Sequence, residues 1–257
     1  MTSTGQTAGG LQRVWVVLPA YDEEGSLPPL LEAIAGAMAA SGRDYHVLVV
    51  DDGSADRTAE IAEDFARRMP LRLERHPRNL GLGAAIRTGL TGAAGLAGER
   101  DAVVTMDADN SHPPELVERL IERLDAGADV AIASRYRRGS RVHGVSLARR
   151  ALSYWGSWLF RLVYPVRGVR DYTCGYRAYR ATALRRGLEA YGEKLFDQDG
   201  FQCMVDILLK LARLDLRFAE APLVLRYDLK SGRSKMRVGR TMRKTLALLA
   251  RRRLGLE

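Results

Sequence analysis

Cysteine is scarce in this chain. Its 257 residues include only Cys174 and Cys203, and neither has a second cysteine at close spacing. The spacing suits neither a zinc site nor a disulfide framework, so we expect two reduced thiols in a cytosolic protein. No stretch reaches the roughly 18 uncharged apolar residues that a transmembrane helix requires. Residues 1–10 lack the basic start and apolar centre of a signal peptide, and we expect a disordered tail there.

Basic residues outnumber acidic ones, with 40 Lys and Arg against 31 Asp and Glu. The whole excess of +9 lies between Arg226 and Glu257, which contains eleven basic and two acidic residues. A basic segment on an otherwise neutral chain indicates a specific anionic partner such as phosphate, anionic lipid or nucleic acid. Stacking aromatic residues are not interleaved with these charges, so we expect no nucleic-acid partner.

Short β-branched runs alternate with amphipathic helical patterns in the first half of the chain. The pattern predicts five strands, at 13–18, 45–50, 71–75, 102–106 and 129–133. Strands separated by helices indicate an α/β fold, with an open, mostly parallel, Rossmann-like sheet and helices on both faces. The second half predicts a loop at 135–145, helices at 146–164 and 198–212, two short strands around Pro222 and a basic amphipathic C-terminal helix at about 238–253.

Two acidic clusters each follow a predicted strand. The second strand leads into Asp51-Asp52-Gly53-Ser54, and the fourth leads into Asp107-Ala-Asp109. Open α/β sheets bind their ligands at the carboxyl ends of the strands. Two carboxylates one residue apart can hold a hard divalent cation, and that cation can hold a diphosphate. The clusters therefore predict a nucleotide-diphosphate substrate, although the first alone could be a turn with a helix cap and the second solvated loop acids.

Four segments stand in a recognisable order: Val17-Leu-Pro-Ala-Tyr-Asp-Glu-Glu24, Val50-Asp-Asp-Gly-Ser54, Asn79-Leu-Gly-Leu-Gly83 and Asp107-Ala-Asp109. In this order they resemble the nucleotide-sugar half of inverting family 2 glycosyltransferases with the GT-A fold. Three later segments resemble the polyprenyl-phosphate (dolichol-phosphate) mannosyltransferases of that family: Ser134-Arg-Tyr136, Asp171-Tyr-Thr-Cys-Gly-Tyr-Arg177 and Gly232-Arg-Ser-Lys235. The likeness covers roughly residues 13 to 240 and implies a GT-A domain at 11–235 followed by a basic amphipathic helix at 236–257. The glycine segment lacks the third glycine of a dinucleotide fingerprint, so we expect its glycines to form a tight start to a helix.

The resemblance implies a donor site at the acidic edge of the sheet. The residues that would contact the nucleotide sugar there are Pro19, Ala20, Tyr21, Glu23, Asp52 and Asp107. Mg²⁺ or Mn²⁺ would be held by Asp107, Asp109 and Ser111, with Asp109 among the catalytic residues, and would stabilise the leaving diphosphate. Relatives commonly have an apolar residue and then Gln where this chain has Asn110 and Ser111, so the preferred metal stays open. Mannose and GDP are the sugar and nucleotide that the resemblance suggests.

The acceptor side is expected to be cationic. A hydroxyl acceptor needs a carboxylate base, whereas a phosphate acceptor is already ionised. The resemblance implies that Arg135, as a catalytic residue, together with Arg233 and Lys235, grips the donor diphosphate or the acceptor phosphate. Arg149 and Arg150 either bind the acceptor or are solvated.

Acidic residues of the second half supply the alternative chemistry. Asp206 is expected at the sugar, as a catalytic base or as a ligand of the sugar hydroxyls. Asp197 and Asp199 could instead complement the start of the predicted 198–212 helix. The loop residues His76, His112 and His143 stand alone and are not expected to do chemistry.

Two segments predict peripheral membrane contact. The 146–164 helix carries two Trp and two Tyr on an apolar surface, which suits a bed for an isoprenoid tail or a core helix. The last helix could dock on anionic lipid or pack on its own domain. Together the patterns predict an inverting transferase moving a sugar from a nucleotide diphosphate to a polyprenyl phosphate at the cytosolic membrane face. A soluble hydroxyl acceptor is the alternative, and a nucleic-acid-binding protein is a third hypothesis.

Overall fold

The computed structural model describes residues 10–145, 147–200 and 202–228, with backbone only for 147–152. Nine strands lie in this part of the chain. They are β1 (Arg13–Ala20), β2 (Asp44–Asp51), β3 (Leu71–Arg75), β4 (Ala102–Thr105), β5 (Val130–Ser134), β6 (Arg141–His143), β7 (Arg177–Arg180), β8 (Phe218–Pro222) and β9 (Val224–Arg226). Residues 1–9 of the predicted 1–10 tail, the Gly232-Arg-Ser-Lys235 segment and the predicted C-terminal helix lie outside the described residues, so the proposed domain boundaries stay predictions.

Seven α-helices and two short 3₁₀ helices accompany the strands in the described ranges. The α-helices are α1 (Leu27–Ser41), α2 (Thr58–Ala66), α3 (Leu82–Leu96), α4 (Leu116–Asp125), α5 (Leu147–Val163), α6 (Ala181–Tyr191) and α7 (Cys203–Leu211). The 3₁₀ helices are Gly192–Phe196 and Ala212–Leu214. No helix within the described residues is both long enough and apolar enough to cross a bilayer.

A seven-stranded sheet with the order β3-β2-β1-β4-β7-β5-β8 forms the centre of the molecule. Its neighbouring strands are parallel except at β7, which runs antiparallel to both β4 and β5. The strands β1, β2, β4 and β5 therefore point in one direction, and the loops that follow them meet at one edge of the sheet. The predicted mostly parallel sheet is confirmed.

The central strands each contain an uninterrupted apolar run because both faces of the sheet are covered. Val14 to Leu18 of β1 and Val47 to Val50 of β2 are almost completely buried, which is the pattern of a sheet enclosed by helices. Helix α3 approaches β1 closely, since a Cβ on Gly89 would lie 2.3 Å from a methyl carbon of Val17. This close packing fixes the position of α3 against β1.

Two expectations for the second half are corrected, and two of its elements were not predicted. The segment 135–145 is not only a loop, because it contains β6, which pairs in parallel with β9. The helix predicted to begin at 198 begins at Cys203, so Asp197 and Asp199 precede it and do not lie in its first turn. Strand β7 and helix α6 were not predicted, because Arg177-Ala-Tyr-Arg180 is short and half of it is arginine.

Both cysteines are free and buried. Burial raises the pKa of the Cys174 thiol and of the Cys203 thiol to about 12 in each case. A thiol reacts as a nucleophile only when it is deprotonated. Neither cysteine is therefore a nucleophile at neutral pH, and both act as small core residues.

Candidate active site at the carboxyl edge of the sheet

The loops after β1 and β2 are tied to each other by side chains that accept backbone hydrogen bonds. The backbone N–H of Asp22 donates to the Ser54 hydroxyl at 2.9 Å, and that of Glu23 donates to the Thr58 hydroxyl at 2.8 Å. Asp52 continues this connection, since its backbone N–H donates to Ala20 O at 2.8 Å. The structure thus brings the predicted nucleoside residues of both loops together at one end of the sheet.

The Asp52 carboxylate organises the neighbouring glycine-rich loop. It accepts the backbone N–H groups of Leu80 at 2.9 Å and Gly81 at 2.8 Å, and it lies 2.7 Å from Nδ1 of His76. Nε2 of His76 lies 2.9 Å from the hydroxyl of Thr88 on α3. The expectation that His76 stands alone is wrong, and proximity in the fold, not in the sequence, is what joins it to Asp52.

The glycines of this region allow backbone segments to approach one another. Gly53 has φ +71°, and a Cβ there would lie 2.3 Å from the carbonyl carbon of Arg78. A Cβ on Gly83 would lie 1.9 Å from Gln198 O, and the backbone N–H of Gly83 donates to Asp199 O at 3.0 Å. Gly83 lies in the first turn of α3, as expected, and it also joins the loop to the segment that precedes α7.

The turn after β4 presents the predicted metal ligands Asp107 and Asp109. The Asp107 side chain is 43% exposed, whereas Asp109 is buried and its carboxylate accepts the backbone N–H of Ser111 at 3.0 Å. Asn110 adopts the left-handed region with φ +62°, and its amide donates to Ser26 O. A residue in this conformation lets the chain reverse within a few residues. The two carboxylates therefore lie on one fixed turn.

His112 supports the same turn. Its Nδ1 accepts the backbone N–H of Asp107 at 3.1 Å, and its ring stacks on Tyr176 with 4.9 Å between ring centroids. The hydroxyl of Tyr176 in turn donates to Pro113 O. His112 was expected to stand alone, and the structure corrects this: the side chain is buried against the acidic turn. Its position five residues after Asp107 carries no sequence signal by itself.

The donor set of this turn fits a divalent cation that is completed by a substrate. The described residues contain no group of three or more His, Cys, Asp or Glu side chains that could hold a metal ion by themselves. Mg²⁺ in phosphate-transferring sites is typically held by one or two carboxylates, with water and substrate phosphate completing its coordination. Asp107 and Asp109 match that arrangement and do not match an all-protein cage.

Arg135 follows β5 and is held by a buried carboxylate. Its Nε and Nη2 donate to the two Asp171 oxygens at 2.8 and 2.7 Å, and its backbone N–H adds a third bond at 3.0 Å. Asp171 also accepts the backbone N–H of Cys174 at 3.1 Å. Burial would raise the pKa of the Asp171 carboxyl, but the Arg135 guanidinium holds it below its usual range. The sequence motif that contains Asp171 did not predict a role for it, and in the structure its carboxylate anchors Arg135.

A second arginine and acid lie beside this pair. Glu220 of β8 accepts the backbone N–H groups of Arg170 and Asp171 at 2.6 and 2.7 Å, and it lies 3.2 Å from Nε of Arg137. Burial raises the pKa of the Glu220 carboxyl despite these partners. The cationic side predicted after β5 is therefore built on two buried acids, and sequence reasoning found neither of them.

The segment between α5 and β7 closes one side of the acidic edge. The fully buried Arg177 donates to the backbone oxygens of Tyr172, Cys174 and Met204, and thereby joins this segment to α7. The Thr105 hydroxyl donates to Gly175 O at 2.7 Å. A small cleft results beside the acidic turn, and its lining includes Pro19, Asp107, Thr173, Gly175 and Met204.

Asp206 is buried on α7 beside a lysine. Its Oδ2 lies 2.6 Å from Nζ of Lys210, and the same ammonium lies 2.9 Å from Oδ1 of Asp197. The α7 residue that lines the cleft is Met204. Lys210 had no role in the sequence analysis, although its spacing of four residues from Asp206 on a helix was a usable signal.

The side chains of the remaining predicted residues are not among those that the structure describes. Arg233 and Lys235 lie outside the described residues. Arg149 and Arg150 belong to the first turn of α5, where only the backbone is described, so their predicted contact with an acceptor stays a prediction.

Comparison with known proteins identifies the family. The sequence matches the family described as Glycosyl transferase family 2 over residues 15–188. The chain belongs to glycosyl transferase family 2. It is accordingly a glycosyltransferase, as predicted, and the matched range runs from β1 into α6, so it includes the acidic turn and the Arg135–Asp171 pair.

Curated members of family 2 are similar over most of the chain. Polyprenol monophosphomannose synthase of Mycolicibacterium smegmatis is 36% identical over 88% of this chain and 81% of its own length. Undecaprenyl-phosphate mannosyltransferase of Micrococcus luteus is 35% identical over 88% of both chains. Dolichol-phosphate mannosyltransferase of Pyrococcus furiosus is 34% identical over 77% of this chain, which spans only 53% of that protein. The resemblance stated from the motifs is confirmed.

Solved structures of lower identity share the fold. Glucosyl-3-phosphoglycerate synthase from Mycobacterium tuberculosis aligns with a TM-score of 0.63 and 21% identity over 93% of this chain and 79% of its own. Mannosyl-3-phosphoglycerate synthase from Rubrobacter xylanophilus aligns with a TM-score of 0.61 and 18% identity, over 94% and 74%. The predicted GT-A fold is confirmed.

Proposed function

We propose that this family 2 enzyme transfers a sugar, mannose in the first instance, from a GDP-sugar to a polyprenyl phosphate with inversion at the anomeric carbon. The observation that carries the proposal is the fixed Asp107–Ser111 turn, which lies between the nucleoside loops and the arginine side of one sheet edge. That order suits a donor diphosphate between its nucleoside and an acceptor phosphate. The names of the relatives similar over 88% of this chain support the choice of sugar and acceptor.

The donor is proposed to lie with its nucleoside against the loops after β1 and β2. Pro19, Ala20, Tyr21, Glu23 and Asp52 are the residues proposed to contact it. The Asp52 carboxylate already accepts two backbone N–H groups, so we assign it the ordering of the Leu80–Gly81 turn as well as a nucleoside contact. The hydrogen bonds between these loops hold the site in place before the donor binds, which lowers the entropy cost of binding.

The diphosphate is proposed to lie at Asp107 and Asp109. These carboxylates, with Ser111, would hold Mg²⁺ or Mn²⁺, which when bound supplies Lewis-acid stabilisation of the leaving diphosphate. An acceptor phosphate oxygen attacks the anomeric carbon as the bond from that carbon to the diphosphate oxygen breaks, and the bonding pair leaves with the diphosphate. The ionised acceptor loses no proton, so the step needs no general base.

The acceptor headgroup is proposed to meet the arginine side. The Asp171 and Glu220 carboxylates each hold a guanidinium, on Arg135 and Arg137, in a fixed place at the end of β5. A guanidinium has five N–H donors, so one that already binds a carboxylate can still donate to phosphate oxygens. Arg149, Arg150, Arg233 and Lys235 are proposed to add to this cationic side.

The exposed face of α5 is proposed to contact the membrane that carries the lipid acceptor. Tyr154, Trp155, Trp158, Leu159 and Leu162 are all more than one third exposed, and Trp155 and Leu162 reach 64%. An exposed apolar patch rich in Trp suits the interface between lipid headgroups and acyl chains. The patch adjoins the arginine side, because the Tyr136 hydroxyl lies 2.7 Å from the Ser153 hydroxyl of α5. We infer a location at the cytosolic membrane face.

A transfer assay tests the reaction. The purified protein is incubated with Mg²⁺ or Mn²⁺ and a panel of GDP- and UDP-sugars, with and without a short-chain polyprenyl phosphate. We expect transfer from GDP-mannose to the lipid. Asp109→Asn keeps an oxygen for the Ser111 N–H but removes the charge, and it should reduce turnover by about 100-fold or more, because metal stabilisation contributes several kcal/mol. Asp64→Asn, at an exposed ion pair on α2, is the matched control and should be unchanged.

Other outcomes would reject parts of the proposal. Transfer from a UDP-sugar would replace the donor, and donor consumption only with a soluble hydroxyl acceptor would replace the lipid. Full activity in the presence of a metal chelator, or in Asp109→Asn, would reject the metal role.

A vesicle sedimentation assay tests the membrane contact. Trp155→Ala and Leu162→Ala should reduce binding to vesicles containing anionic lipid, because each removes a large exposed apolar side chain from the α5 face. Leu96→Ala is the matched control, since Leu96 is a 45% exposed apolar residue on α3. Equal loss of binding in all three variants, or in none, would contradict the assignment of α5.

A further inference from the structure

Lys210 connects α7 to the residues that precede this helix. Its ammonium donates to the backbone oxygen of Lys194, lies 2.9 Å from Oδ1 of Asp197 and lies 2.6 Å from Oδ2 of Asp206. The Lys194 oxygen and Oδ1 of Asp197 accept hydrogen bonds from the ammonium, and the Asp206 carboxylate forms an ion pair with it. The Lys210 side chain is only 7% exposed, and the Asp206 side chain is 1% exposed. The cluster is thus a buried connection between α7 and the segment that leads into it.

The segment held by Lys210 contacts the glycine-rich loop directly. Asp199 O accepts the backbone N–H of Gly83 at 3.0 Å, and Gln198 O occupies the space that a side chain at Gly83 would need. Two residues earlier in the same loop, the Gly81 N–H donates to the Asp52 carboxylate. A continuous set of contacts therefore runs from Asp206 through Lys210 and the 197–199 segment to the nucleoside end of the site.

We propose that Lys210 and Asp206 act as a positioning pair that holds the 197–200 segment, and through it the glycine-rich loop, in place for the donor. The proposal rests on the donor site proposed above, and it departs from the expectation that Asp206 is a catalytic base or a ligand of the sugar hydroxyls. Asp206 is then a partner of Lys210 and not a base, which agrees with Met204 being the α7 residue that lines the cleft.

Removing the charges of Lys210 and Asp206 singly and together distinguishes a positioning role of Asp206 from a catalytic role. Removing Lys210 alone leaves the buried Asp206 carboxylate without its cation, which is far more costly than removing both charges together. Removing Asp206 alone leaves Lys210 with Asp197 and the Lys194 oxygen. A positioning pair therefore predicts that the double variant is more active than Lys210→Met, whereas a catalytic Asp206 predicts that it is as inactive as Asp206→Asn.

The test is a double-mutant cycle on the full chain with Lys210→Met, Asp206→Asn and both changes together. We expect Lys210→Met to lower kcat/KM by about 100-fold, mainly through a raised KM for the donor, because displaced binding groups cost that much. Asp206→Asn should lower it less, the double variant should recover most of the loss, and Lys210→Arg should retain part of the activity. Lys194→Met is the matched control, because only the backbone oxygen of Lys194 is used.

The readout distinguishes this proposal from the proposed function. Each variant is assayed with the nucleotide sugar that the wild-type protein uses in the panel above, so an unexpected donor rejects GDP-mannose and leaves the cycle intact. Unfolding temperatures identify variants that lose activity by failing to fold. The positioning role is overturned if Asp206→Asn abolishes kcat at an unchanged donor KM and the double variant is equally inactive. It is also overturned if Lys210→Met behaves like Lys194→Met.

Discussion

Replacing Asp171 with Asn should destabilise the protein strongly, because Asp171 is a fully buried carboxylate with an arginine partner. The change removes the charge that holds Arg135 and disturbs the acceptor for the backbone N–H groups of Arg135 and Cys174. Breaking a buried ion pair costs about 3–5 kcal/mol. The Arg135 side chain is 23% exposed and can turn toward water, so we expect a value near the lower end, about 3 kcal/mol.

The measurement is urea unfolding together with thermal unfolding. A loss of about 3 kcal/mol should lower the unfolding temperature by about 6–12 °C in a protein of this size. Asp44→Asn is the matched control, because Asp44 also pairs with an arginine, Arg13, but the two side chains are 74% and 39% exposed. An exposed pair contributes less than about 1 kcal/mol. Equal effects of the two substitutions would refute the reasoning from burial.

The pH dependence gives a second check on Asp171. Its folded pKa lies below the ordinary value, because Arg135 outweighs the effect of burial. A depressed carboxyl pKa contributes stability that is complete above the unfolded pKa, about 3.9, and is lost as the pH falls through the folded pKa. The difference in unfolding free energy between wild type and Asp171→Asn should therefore be constant from pH 5 to 8 and narrow only below about pH 4. A difference that changes between pH 5 and 8 would point to another group.

Two further predictions concern the glycine-rich loop and the second buried acid. Gly83→Ala should cost about 1–3 kcal/mol of stability and raise the donor KM, because its Cβ would overlap Gln198 O. Gly36→Ala, on the exposed side of α1, is the control and should be neutral or stabilising. Equal shifts of the unfolding temperature in the two variants would contradict this prediction. Burial raises the pKa of Glu220, so its contribution to stability is complete below about pH 4.5 and is lost as the pH rises through the folded pKa. In Glu220→Gln the unfolding free energy should therefore depend less steeply on pH just above pH 4.5 than in the wild type. Equal slopes in the two proteins would count against this prediction.

The first half of the fold follows from the sequence because local and tertiary preferences agree there. The runs Val14 to Leu18 and Val47 to Val50 are rich in valine and uninterrupted by polar residues, and the sheet buries them on both faces. The buried residues of α1 are apolar and stand at helical spacing: Leu27, Leu30, Leu31, Ile34 and Met38. Where each local choice agrees with the global fold, pattern reasoning is reliable.

Strand β7 could not be predicted because its burial depends on partners far away in the sequence. Arg177 is polar by composition, yet it is completely buried, since three backbone oxygens from a loop and from α7 accept its N–H groups. The four residues of β7 do not by themselves predict those hydrogen-bond acceptors. The start of α7 was misplaced for a related reason, because the 197–200 segment is held by Lys210 and not by helical bonds.

The candidate site divides in the same way. Residues within short motifs, such as Asp107 and Asp109, could be found because their chemistry depends on near neighbours. The partners of two other site residues are distant in sequence: His76 lies 24 residues from Asp52, and Asp171 lies 36 residues from Arg135. Such pairs become visible only once the chain is folded.

The antiparallel strand β7 has a consequence for the order in which the protein folds during synthesis. It separates β4 from β5, although both of these strands are complete by residue 134. Until residues 177–180 leave the ribosome, the facing edges of β4 and β5 have no strand between them, and such apolar edges can pair with other chains. The strands β1 to β4 can assemble early, whereas β5 can join them only after β7, and the edge strand β8 is added last. A nascent chain that stalls before residue 177 therefore leaves the facing edges of β4 and β5 open to aggregation.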